Sequence, residues 1–155
     1  MDGRPSFDVG PLSSAIFRVA RLHKSLAARL LREIGLHPGQ ELVLMTLWRD
    51  GPQRQVDLAR TLDSDAPTMT RSIARLEKAG LVRRSPSPTD GRATIVEATE
   101  ASLPLREPVE QAWATLERLT TDALSRHRAS EALSLLAELE AGLQAAADRA
   151  SPDAR

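Results

Sequence analysis

The chain contains no cysteine. That excludes disulfides, thiolate metal sites, cysteine nucleophiles and thiol-based redox sensing. It also lacks net charge, since 21 Lys and Arg are balanced by 21 Asp and Glu. Any affinity for a polyanion must therefore come from a local concentration of cations. No apolar run is long enough to span a membrane, and the opening residues MDGRPSFDVG have no apolar signal core. A cytoplasmic protein with no membrane partner is expected. No cluster of His, Asp and Glu has the spacing of metal ligands, so neither a metal nor a cofactor is expected. No nucleophile–base pair, paired-acid motif or phosphate-binding loop occurs, which argues against an enzyme. Lysine is confined to Lys24 and Lys78, leaving arginine to carry most of the positive charge.

What is present is helical periodicity. The chain has 155 residues, 41% of them hydrophobic, which suits one domain with its own core. From Pro11 to Ile34, Leu12, Ile16, Val19, Leu22, Leu26 and Leu30 recur at helical spacing, and Gly35 ends the run. His37-Pro38 is expected to open a second helix, carrying Leu42, Leu44, Met45, Leu47 and Trp48, that stops at Asp50-Gly51-Pro52. A short helix follows over 55–62. Asp65 is placed to cap the next one, with Pro67 in its permissive first turn and Gly80 closing it. The period then changes. Leu81 to Ser85 and Thr94 to Ala98 read as two strands around the turn PSPTDGR. Two further helices carry Leu105, Val109, Trp113, Leu116 and Leu119, then Leu133, Leu136, Leu139 and Leu143. Pro104 and Pro108 predict a late or kinked start to the first of these. Residues 1–10 and 151–155 read as a flexible arm and tail.

The middle third has the order helix, turn, helix, hairpin, which fits a helix-turn-helix with a β-hairpin beside it. In the helix after Asp65, Met69, Ile73 and Leu76 should face the core. Thr68, Thr70, Arg71 and Arg75 should face outward, where hydroxyls can bond phosphates and arginine can pair with guanine. Residues 66–92 hold six basic side chains, Arg71, Arg75, Lys78, Arg83, Arg84 and Arg92, against the acids Glu77 and Asp90, a local charge of six minus two, or +4. Such a face on one helix alone is usually just solvated surface. Its adjacency to an arginine-bearing hairpin favours double-stranded DNA as the partner over a protein-interaction module that no longer binds DNA.

The segments QVDLARTL, PTMTRSIARLEKAGLVRR and SPTDGRATIVEAT resemble the MarR family of bacterial transcription regulators. The resemblance extends over nearly the whole chain. It implies a mainly α fold with a small β-hairpin wing: one domain over 11–150, with a winged helix-turn-helix over about 37–99 and dimerisation helices over about 11–34 and 104–150. It implies a homodimeric, ligand-responsive repressor on a palindromic operator. The DNA-binding residues would be Thr68, Thr70, Arg71, Arg75, Arg84, Asp90 and Arg92, with Arg92 at the wing tip entering the minor groove and Asp90 holding that guanidinium or the turn. Ser87 stands where many members carry aspartate, so part of the wing's internal bonding is expected to be missing. Small aromatic or anionic effectors would bind between the terminal helices and the winged region, where Arg18, Arg21, His23 and His37 are the polar candidates.

Overall fold

The computed structural model describes residues 10–150. The order of elements is α1 (Pro11–Glu33), α2 (Gln40–Asp50), β1 (Gln53–Arg54), α3 (Gln55–Thr61), α4 (Ala66–Lys78), β2 (Val82–Pro86), β3 (Thr94–Ala98), a 3-10 helix (Glu100–Leu105), α5 (Arg106–Thr121) and α6 (Arg126–Ala150). The expected arm and tail lie, apart from Gly10, outside the described residues. The chain divides into one compact unit through Leu116 and another from Glu117.

The first unit is organised around one core. Leu31 of α1, Leu44 and Leu47 of α2 and Leu58 of α3 meet Met69, Ile73 and Leu76 of α4, Val82 and Val96 of the sheet and Val109 of α5. Val43 joins this core although the expected apolar set for α2 omitted it. That helix begins at Gln40, later than His37-Pro38 suggested. The intervening turn is held by the Gln40 side chain, whose Oε1 accepts from the His37 N–H at 2.9 Å.

The helix-turn-helix proper is α3 and α4. Asp63 bridges them with φ 48°, the left-handed conformation that aspartate tolerates better than most residues. The Asp65 carboxylate then accepts from the Thr68 N–H at 2.7 Å and fixes where α4 starts. Gly80 (φ 77°) turns the chain from α4 into β2, a reversal open to glycine at low cost.

The sheet has the order β1-β3-β2 and is antiparallel throughout. The hairpin β2–β3 was legible in the sequence. The two-residue β1, pairing Gln53 with Val96 and Arg54 with Ile95, was not. Two bonds from Thr99 fasten the sheet to the end of α4: its hydroxyl donates to the Gly80 carbonyl at 2.6 Å and its N–H to the Leu81 carbonyl at 3.0 Å. Pro104 falls inside the 3-10 helix, and α5 starts only at Arg106, the late start that the prolines predicted. That 3-10 helix is pinned by the buried Ser102, which accepts from the Trp48 indole N–H at 2.9 Å and donates to the Thr99 carbonyl at 2.7 Å.

In the second unit, α6 runs for 25 residues and buries none of them. Leu133, Leu135, Leu136 and Leu143 are exposed along it, while Leu139 is half-buried.

Candidate nucleic-acid interface

On α4, burial of Met69, Ile73 and Leu76 leaves Thr68, Thr70, Arg71 and Arg75 exposed. Each hydroxyl has a partner. The Thr68 hydroxyl donates to Asp65 Oδ2 at 2.9 Å and accepts from Arg71 Nη2 at 3.2 Å. Asp65, Thr68 and Arg71 therefore form a chain that starts at the helix cap and restrains a guanidinium. The Gln55 amide donates to the Thr70 hydroxyl at 3.0 Å, tying the start of α3 to the exposed face of α4. The two hydrogen bonds from Thr68 hold the Asp65 carboxyl below the usual carboxylate range.

The arginines divide into paired and unpaired. Arg83 pairs across the strands with Glu97 at 2.7 Å. Arg84 binds Glu77 of α4, with Nε at 2.9 Å from Oε2, and its guanidinium lowers the Glu77 carboxyl pKa. Of the predicted DNA contacts, Arg84 is thus engaged within the protein. Among the described residues, no ion pair joins Arg71, Arg75, Lys78 or Arg92 to an acid. Four cations are therefore left to face a polyanion.

The wing is better bonded than expected. Ser87 is buried, its N–H donates to the Ala93 carbonyl at 2.8 Å, and its hydroxyl accepts from the Thr89 and Asp90 N–H groups at 3.4 and 3.3 Å. A serine thus supplies bonding that was expected to be absent without aspartate. Asp90 holds the turn through the Arg92 N–H, at 3.1 Å, but the guanidinium that it binds belongs to Arg54, at 2.9 Å. Sequence reasoning missed both Arg54 and Gln55. The β1 strand that places Arg54 is two residues long and leaves no periodic signal, and Gln55 follows it as the first residue of α3.

A separate cavity of about 180 Å³ lies among α1, the start of α2 and α5. His23, Lys24 and Glu41 are its charged or polar residues, with Leu30, Leu42, Trp113 and Leu116 among its walls. Of the predicted effector residues, His23 lines it; Arg18, Arg21 and His37 are exposed and stand outside that lining. Glu41 is buried, and burial raises its pKa even though it accepts from the Gly39 N–H at 2.7 Å.

No described helix is long and apolar enough to cross a membrane. Residues 36–94, spanning α2 through the wing, match the model of the MarR family. A probable transcriptional regulator from Pseudomonas aeruginosa superposes with a TM-score of 0.77 at 29% identity, covering 84% of this chain and 97% of that one. A cysteine-to-serine mutant of MarR from E. coli, complexed with operator DNA, gives 0.78 at 25% identity, covering 84% and 94%. Reduced AbfR bound to DNA gives 0.70 at 29% identity, covering 86% and 90%. The wing, the capped helix α4 and these likenesses agree: residues 36–94 are similar to the MarR family of winged helix-turn-helix regulators, and the chain is a DNA-binding transcription regulator.

Proposed function

We propose that the protein is a ligand-responsive repressor that binds a palindromic operator as a homodimer. The observation that carries the reading is the α4 face: a capped helix start, two exposed threonines, and Arg71 and Arg75, which no ion pair joins to an acid among the described residues, beside a wing ending in Arg92. In this reading α4 enters the major groove. Arg71 and Arg75 reach base edges or phosphates, and Thr68 and Thr70 bond nearby. Arg92 enters the adjacent minor groove, whose negative potential attracts a guanidinium. Asp90 shapes the wing, and Arg84 contributes through the charge and placement of the β2 backbone.

Homodimerisation is supported by the apolar surface of the terminal helices. Phe17, Val19 and Leu22 on α1 and four leucines on α6 are exposed, which a lone soluble chain rarely tolerates in contiguous patches. Two copies related by a twofold axis would present two recognition helices to two half-sites. For the effector, the cavity beside Trp113 offers apolar walls with His23, Lys24 and Glu41 as polar anchors, a composition suited to a small aromatic compound bearing an anionic or hydrogen-bonding group.

Selection from a random DNA pool tests the reading. The expected product is an inverted repeat with half-sites about one helical turn apart. Enrichment of single half-sites, or no enrichment over a scrambled pool, would refute it.

A further inference from the structure

Asp90 places a carboxylate two residues from Arg92, at the part of the wing that would approach DNA. Both of its oxygens are used: Oδ1 accepts from the Arg92 N–H at 3.1 Å and Oδ2 from Arg54 Nη2 at 2.9 Å. Arg54 lies 36 residues earlier, at the N-cap of α3. Between the two sides lies a cleft of about 370 Å³, lined by Arg54, Val56, Ala66, Met69, Asp90 and Arg92. Side-chain packing therefore does not fill the space between the wing tip and the helix-turn-helix. The Arg54–Asp90 pair is the polar bridge across it.

We propose that Arg54 is a positioning residue for operator binding. Through Asp90 it fixes the setting of the wing against α3 and α4, and it cancels the negative charge that Asp90 would otherwise present to the phosphates. An exposed ion pair contributes little to global stability. Its value here lies in placement, because a groove contact is lost when its donor is misplaced by about an ångström. The proposal rests on the reading that Arg92 contacts DNA, and Arg92→Ala tests that reading separately. If Arg92→Ala leaves affinity unchanged, the wing reading fails. If Arg92→Ala weakens binding while the cycle below is additive, only the role of Arg54 fails.

The experiment compares the full-length protein with Arg54→Ala, Asp90→Asn and the double variant on the selected operator. Arg54→Ala should weaken binding about tenfold, since it both frees the wing and exposes the Asp90 charge. Asp90→Asn should cost less, and the double variant should bind more tightly than Arg54→Ala alone, because no carboxylate is left unpaired. Amide exchange at Arg92 and Ala93 in the DNA-free protein should speed up in Arg54→Ala, while the core amides of α4 stay protected. A simple phosphate contact predicts otherwise: losses that add in the double variant and no change in exchange at the wing. Either result would overturn the proposal.

Discussion

Arg92 carries the sharpest prediction at the scale of single residues. It is exposed at the wing turn and has no acidic partner among the described residues, so Arg92→Ala should leave the thermal midpoint unchanged. Loss of a groove contact should weaken operator binding by about 1–3 kcal/mol. Equal affinity in titrations at several salt concentrations would remove the wing from the interface. Arg71 differs because it is pre-oriented through Thr68. Arg71→Ala should relax preference at particular base pairs, whereas a uniform loss over all sequences would reassign it to a phosphate. Glu41 carries a pH signature. Burial raises its carboxyl pKa in the folded state, so its contribution to stability is fully present below the ordinary glutamate value and is lost as the pH rises through the raised one. Glu41→Gln, able to keep an acceptor for the Gly39 N–H, should remove that decline. Unfolding midpoints of both proteins between about pH 4 and pH 7 should diverge toward neutrality in favour of the variant; parallel curves would exclude the effect.

At the scale of elements, α4 shows how sequence and structure relate. Its apolar spacing, its cap and its proline all point to one helix, and Met69, Ile73 and Leu76 are buried as that spacing requires. Because Ile73 is fully enclosed, Ile73→Ala should cost about 2–5 kcal/mol in denaturant unfolding; a cost near zero would mean that α4 does not anchor the core. The Pro104–Pro108 segment was equally legible, since proline acts locally on the backbone. What could not be read were features set by distant partners. The strand β1 exists because Gln53 and Arg54 find β3 more than forty positions later. The bridge from Arg54 to Asp90, the pairing of Arg84 with Glu77 and the contribution of Ser87 to the wing depend on the same tertiary placement. Trp48 illustrates the limit. Its spacing placed it in the apolar set of α2, yet its indole N–H binds Ser102, and the tryptophan that lines the cavity is Trp113. A period tells which face is inward, and not which neighbour it meets.

At the scale of the whole molecule, a protein with no net charge presents two kinds of surface. On α4 and the wing, Arg71, Arg75, Lys78 and Arg92 are joined to no acid by an ion pair among the described residues, while α1 and α6 each expose large apolar side chains. The first gives a directed electrostatic face; the second is where the proposed second copy would pack. Sedimentation at micromolar concentration should therefore give a dimer, and a stable monomer would end the palindromic-operator reading along with it.

Any switch acting on the proposed dimer has to work without a thiol, because the chain has no cysteine to oxidise. A ligand can release DNA only by binding the DNA-incompetent dimer better than the competent one, and the shift cannot exceed that difference in affinity. In the proposed reading the cavity formed by α1, α2 and α5 would sense such a difference, since Leu31 in its wall belongs to the core that also holds α4. Aromatic carboxylates titrated into the protein–operator complex should release the operator, and His23→Ala should shift that titration to higher ligand concentration. Peroxide run in parallel should leave the complex intact. Reversible release by peroxide with no response to carboxylates would overturn the ligand reading and direct attention to oxidation of methionine, with Met69 of the recognition helix, buried in the core, as the first residue to examine.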